Sequence, residues 1–170
     1  MNFLAHARLA GDSTADRVGG VIGDFVKGPL PAGLPSDLAA GVALHRKIDV
    51  FADTHPAFQR SRARVSLARR RFAGVLVDMF YDHLLARDWP HYHGQALPQF
   101  AADIYQEMAT CSQALPTAAR EIARPMAADD WLTAYADITA VERALQRMSR
   151  HRLRRANPLG GAIEELLADY

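Results

Sequence analysis

Apolar residues recur along this chain at helical rather than strand spacing, with few alternating β-branched runs and with Gly and Pro as punctuation. The pattern predicts an all-α domain. A short first helix is expected around Asn2 to Ala10, ending at Gly11, and a second from a Ser13 or Thr14 cap toward Phe25. Pro29, Pro31, Pro35, Gly28 and Gly33 make Gly28 to Pro35 a loop. Ser36 is then expected to cap a helix running to about Phe51, with Pro56 as its end or a kink beyond it. Arg69 to about Trp89 reads as the longest unambiguous helix, stopped by Pro90 and followed by an aromatic, His-rich turn to Gly94. Helices near Leu97 to Leu115, Thr117 to Ala123, Asp130 to Ala136 and Ile138 to Leu153 complete the body. A last one, set off by Pro158, Gly160 and Gly161, ends near Asp169.

The chain shows no internal repeat, low-complexity tract or linker, and 170 residues fit one domain when about 150 per domain is the norm. Residues 1–170 are therefore expected to form a single unit that buries a core without covalent staples. The lone Cys111 offers neither a disulfide nor a thiolate cluster, and a reducing cytoplasm is the simplest compartment. Met1 to Ala10 lacks a basic leader and carries His6 and Arg8, unlike a signal peptide. No apolar run reaches the 18 or so residues of a membrane span. Twenty basic against nineteen acidic residues, a net charge of +1, favour neither a polyanion-coating protein nor an acidic disordered one.

The chemistry concentrates in Phe72 to Leu85, FAGVLVDMFYDHLL, where an otherwise apolar helix carries Asp78, Asp82 and His83. Asp78 and Asp82, four apart, stack on one face with Cβ atoms roughly 5–6 Å apart. Two carboxylates so close in apolar surroundings repel unless a cation or an Arg neutralises them. In GVALHRKIDVF, His45 and Asp49 share a face, a spacing that offers a nitrogen and an oxygen to one ion, although Arg46 pairing with Asp49 would also account for it. His6, in the first apolar helix, is a core histidine or a further participant. Asp24 sits between Ile22 and Phe25 with Gly19, Gly20 and Gly23 allowing close backbone approach. Carboxylate and imidazole without sulfur suit Mn²⁺ or Mg²⁺, with Fe²⁺ also compatible, and point to hydrolysis.

MNFLAHARLA, GDFVKG at Gly23 to Gly28, GVALHRKIDVFADTHP from Gly41 to Pro56 and RRFAGVLVDMFYDHLLARDW from Arg70 to Trp89 resemble the acyl carrier protein phosphodiesterase family, a divergent branch of the HD-domain phosphohydrolases. The likeness is ordered over about the first 90 residues and looser beyond, through Trp131, Tyr135 and Met148 to Arg152. Family members extend further at the C-terminus, a difference that touches substrate selection rather than the candidate ligands. The order Asp82-His83 also departs from the usual HD pattern. The resemblance implies an HD-like helical bundle, a Mn²⁺ or Mg²⁺ requirement, and removal of 4'-phosphopantetheine from holo acyl carrier protein.

On that basis Asp24, His45, Asp49, Asp78, Asp82 and His83 are expected as metal ligands, with His6 or His55 as the acid for the leaving serine oxygen and Arg46, with one of Arg69, Arg70 or Arg71, on the phosphate. Such carrier proteins are acidic, so Arg60, Arg62, Arg64, Arg69, Arg70 and Arg71 are expected to steer the partner. A second cluster, Arg143, Arg147, Arg150, Arg152, Arg154 and Arg155, could do the same. Nucleic acid is not expected, for want of aromatic interleaving or a recognisable motif. Two other readings fit the same residues: an HD-type phosphohydrolase acting on a small nucleotide or phosphoester, and a non-catalytic metal-binding or carrier-binding module.

Overall fold

The computed structural model describes residues 3–151 and 157–168, and among them every regular element is helical. The all-α expectation holds. Asn2, Arg152, Leu153, Arg154, Arg155 and Asp169, named above, lie outside the described residues.

α1 (Phe3–Leu9) and α2 (Thr14–Ile22) follow the expected boundaries closely. Ser13 caps α2 by accepting from the Asp16 amide at 3.1 Å while its hydroxyl donates to the Asp16 carboxylate at 2.7 Å. A 3-10 turn, Gly23–Phe25, ends the second helix and carries Asp24. α3 (Ser36–Thr54) packs along α2 at very short range. A Cβ on Gly19 would lie 2.5 Å from the Gly41 carbonyl carbon, and one on Gly41 would lie 2.3 Å from the Ala15 carbonyl oxygen. Any side chain at either position would push the two helices apart.

A helix absent from the sequence reading, α4 (Pro56–Arg64), begins where only a stop or kink was expected. Pro56 occupies its first turn, where a missing amide hydrogen costs nothing, and His55 is its cap. α5 (Ala73–Arg87) starts later than expected, because residues 66–72 form turns and a short 3-10 segment. α6 (Leu97–Thr110) buries Leu97, Phe100, Ala101, Ile104 and Met108. α7 (Thr117–Ala128) runs past its expected end, with Pro125 on the exposed side where solvent can serve the unpaired carbonyl. α8 (Trp131–Ala134), α9 (Ile138–His151) and α10 (Ile163–Leu167) close the described chain.

The core is continuous, from Leu4, Val18, Ile22 and Val42 through Leu76, Ile104 and Met108 to Met126, Leu132 and Leu145. Arg17 of α2 pairs with Glu107 of α6, at 2.9 Å through Nε. Arg69 holds α10 by donating to the Pro158 carbonyl at 2.9 Å and to Glu165 at 3.0 Å. No described helix is long and apolar enough to cross a membrane.

Candidate metal centre

α1, α2 and α3 meet at one end of this core, and the meeting point carries the chemistry. His6 reaches in from α1, one turn after Phe3, and both side chains are buried. His45 and Asp49 project from one face of α3, as their spacing requires. His6 Nε2 lies 2.9 Å from Asp49 Oδ1, and His45 Nε2 lies 3.1 Å from Asp49 Oδ2. One carboxylate thus receives both imidazoles. The two rings stack with centroids 3.8 Å apart, and Asp24 Oδ1 stands 3.8 Å from His45 Nε2. The side chain of Asp49 is 48% exposed and that of Asp24 39%, so the buried rings form a floor and the carboxylates a mouth.

The proton positions follow from one contact. His45 Nδ1 is 2.8 Å from the Gly20 carbonyl oxygen, which only accepts, so Nδ1 carries a hydrogen. In the neutral ring Nε2 is then a lone pair aimed at a carboxylate oxygen. That arrangement is repulsive unless Nε2 is protonated or a cation stands between the two. A backbone carbonyl orienting the far nitrogen of a histidine is also how metal-ligating histidines are commonly held. Burial pulls the His45 pKa down, but the hydrogen bond and charge of Asp49, the Gly20 carbonyl and the charge of Asp24 outweigh it and leave it raised. For Asp49, burial pushes upward, yet the hydrogen bonds and charges of His45 and His6 hold its carboxyl well below the usual range.

Two imidazoles and a carboxylate, with ligand atoms all within 4.8 Å of one another, fit a divalent cation. His6 Nδ1, buried and without a hydrogen-bond partner among the described residues, leaves Nε2 as the only nitrogen of that ring turned toward a polar group. Gly23 is required by the same geometry. A Cβ there would sit 2.2 Å from His45 Cγ, inside the ring's own volume.

The other expected site residues are placed differently. Asp82 is fully buried and accepts from the Leu4 amide at 3.1 Å and the Ala5 amide at 2.9 Å, so both its oxygens serve the first turn of α1. Helix starts present unpaired amides and attract negative charge, and an amide pair brought in from the N-terminus takes the place of a cation. Burial pushes the Asp82 carboxyl up to about 7, against the two amides that lower it. His83 is buried with Nδ1 2.8 Å from the Tyr135 carbonyl, tying α5 to the segment after α8. Asp78, Asp82 and His83 all lie outside the His6, His45 and Asp49 group.

Arg46 donates to the Val26 and Gly28 carbonyls, at 3.0 Å each, and so anchors the Gly28 to Pro35 loop instead of pairing with Asp49. His55 is exposed, accepts from the Ala57 amide at 3.2 Å and packs against Phe51. Of the arginines, Arg69 is spent on α10, and Arg70 donates to the Val65 and Ala63 carbonyls at the end of α4. Arg71 lies over the Phe72 ring. Arg60, Arg62 and Arg64 are exposed on α4, with Arg62 3.4 Å from Asp53.

What the sequence did not reveal is the role of backbone. The Gly20 carbonyl and the α1 amides have no signature in residue type, although the cluster of Gly19, Gly20 and Gly23 signalled close approach.

Comparison with known proteins places this architecture. The acyl carrier protein phosphodiesterase family profile matches residues 1–170. The acyl carrier protein phosphodiesterase of Photorhabdus laumondii subsp. laumondii is 31% identical over 174 residues, covering 100% of this chain and 86% of that protein. Its counterpart in Yersinia pestis is 30% identical, covering 97% of this chain and 87% of the relative. That of Yersinia enterocolitica is 31% identical, with 100% and 88% covered. No solved structure matches. The chain belongs to the acyl carrier protein phosphodiesterase family.

Proposed function

We propose that residues 1–170 form one HD-like domain that hydrolyses the 4'-phosphopantetheine arm from holo acyl carrier protein in the cytoplasm, using a divalent cation such as Mn²⁺ or Mg²⁺. The observation that carries the proposal is the convergence of His6, His45 and Asp49, from two helices, on one half-open point in a member of this family.

A divalent cation held there supplies Lewis acidity toward a phosphodiester and lowers the pKa of water. His6, His45 and Asp49 would hold it, with Asp24 at the mouth. The Gly20 carbonyl keeps the His45 ring in the tautomer that presents Nε2. Asp82 acts at one remove, fixing the start of α1 and hence the position of His6. Hydrolysis adds a hydroxyl to phosphorus and returns a proton to the serine oxygen, giving apo carrier protein and free 4'-phosphopantetheine. Since His6 belongs to the cation group, we assign the proton donation to His55, which is exposed beyond the end of α3. Arg60, Arg62 and Arg64 on α4 offer positive charge to an acidic partner.

The test is incubation of the purified protein with holo carrier protein and Mn²⁺, followed by mass spectrometry for loss of the arm, with a chelator arm and His45→Ala as controls. Turnover that needs the cation and His45 supports the reading. Cleavage of small phosphodiesters while the carrier protein stays intact would point instead to a general phosphohydrolase.

A further inference from the structure

A cleft of about 370 Å³ opens between α1, α5 and the α7 to α9 segment, and nothing in the proposed chemistry uses it. Its walls are apolar: Phe3, Met79, Trp131, Tyr135, Ala144 and Met148. Polar groups stand at only a few points, namely Arg143, Arg147 and Asp129. Concave, mainly apolar walls with a few polar groups, at a volume above about 300 Å³, describe a small-molecule site.

Its position says which molecule. Phe3 forms part of the wall, and His6 lies three residues on along the same helix, a rise of about 4.5 Å. Phe3 also stacks on Phe25, 6.3 Å between centroids, and Phe25 follows Asp24 in sequence. The cleft and the cation group therefore share one wall.

A pantetheine arm leaves its phosphate as a chain with the reach of about four extended residues, roughly 14 Å. It carries a gem-dimethyl group and a methylene run suited to apolar walls, and two amides and a hydroxyl that need only a few polar partners. With the phosphate at His6, His45 and Asp49, an arm of that length has the reach to pass Phe3 and enter the cleft. We infer that the cleft lined by Phe3, Trp131 and Ala144 binds the pantetheine arm of the substrate. This inference rests on the function proposed above.

Trp131 makes the test direct, because binding can be read without catalysis. The full-length protein is titrated with pantetheine, which lacks the phosphate, and tryptophan fluorescence is followed. Trp131→Phe identifies the signal, since the other tryptophan, Trp89, is buried against Phe100 and His93. The expected result is a saturable change, lost in Trp131→Phe, weakened at least about tenfold by Ala144→Phe, and preserved in His45→Ala. For holo carrier protein, Ala144→Phe should raise KM by a similar factor with kcat little changed. Should Ala144→Phe fail to fold by circular dichroism, Ala140→Leu narrows the same wall and carries the test.

Absence of saturable binding, saturation by decanoate but not by pantetheine, or an unaltered KM in the folded wall variant overturns the inference. The two readings fail separately. Pantetheine binding without hydrolysis sinks the proposed reaction and spares the cleft, whereas hydrolysis with an indifferent cleft does the reverse.

Discussion

Gly23→Ala adds one methyl group and should disable the candidate metal centre without removing any ligand. The new Cβ would lie 2.2 Å from His45 Cγ, 2.3 Å from Cδ2 and 2.6 Å from Nδ1, whereas ordinary contact begins near 3.4 Å. The ring must retreat by about 1.2 Å, the difference between 3.4 and 2.2 Å. Its Nδ1 bond to Gly20, now 2.8 Å, does not survive a shift of that size, and Nε2 is carried away from Asp49 and Asp24. Overpacking costs about 1–3 kcal/mol and the lost hydrogen bond about 1 kcal/mol more. At roughly 2–4 °C per kcal/mol for a chain of this size, the melting temperature in chelator should fall by about 5–15 °C. Disturbing what orients a metal ligand typically weakens affinity about 10–100-fold. Calorimetric titration with Mn²⁺ at constant pH measures this on the folded variant. Gly74→Ala is the control, because a Cβ there meets nothing within 4 Å. It should bind Mn²⁺ normally and gain about 0.5–1 kcal/mol of helix stability. Mn²⁺ affinity in Gly23→Ala within twofold of the parent would refute the argument that this ring position matters.

Three other outcomes follow from the same geometry. Mn²⁺ affinity should rise about tenfold per pH unit while His45 is protonated in the free protein and level off above its raised pKa, because binding must displace one proton; calorimetry in buffers of different ionisation enthalpy counts it. In chelator, the His45–Asp49 pair should stabilise the fold most between about pH 4 and 6.5, since the raised His45 loses its contribution as pH climbs through its folded value and the depressed Asp49 loses its own as pH falls. Asp82 runs the other way: its carboxyl moves from 3.8 unfolded to about 7 folded, so a penalty is absent below pH 3.8, grows with pH and is complete above 7, worth on the order of 4 kcal/mol. Asp82→Asn, compared with the parent by urea denaturation from pH 4 to 8, should lack that slope, and parallel curves for the two proteins would show that Asp82 does not titrate there.

Helical period carried much of the fold into the sequence. It set α1, α2 and α3 close to their expected positions and gave the start of α6, though not its end at Thr110, and it put His45 and Asp49 on one face before any neighbour was known. It failed where one residue type has two meanings. Pro56 ends a helix or begins one, and the choice of beginning, with His55 as cap, gave α4. Asp82 faces a cation or a helix start, and the partner that decided it lies 78 residues away in sequence. Arg46 fits a phosphate as well as two carbonyls, and the loop behind it took the guanidinium. Spacing within one helix determines which side chains share a face; which surface that face meets is a property of the packing.

Packing also explains why the candidate site lies between α1, α2 and α3. Gly20 serves both flanking helices: a Cβ on it would be 2.9 Å from the His6 carbonyl oxygen, so its bareness admits α1, and its own carbonyl accepts a hydrogen bond from His45 Nδ1 of α3. The result is two imidazole rings at 3.8 Å sharing a single carboxylate. Two imidazolium ions at that distance would repel by about 4 kcal/mol at an effective dielectric of 20, which opposes charging both rings at once. Two carboxylates, Asp49 and Asp24, stand beside the rings, and the group faces solvent only through that mouth. A divalent cation would answer the two carboxylates, the lone-pair conflict at His45 Nε2 and the competition of two rings for one carboxylate. Protonation resolves only the conflict at one ring, which is why the arrangement favours an ion over an ion pair.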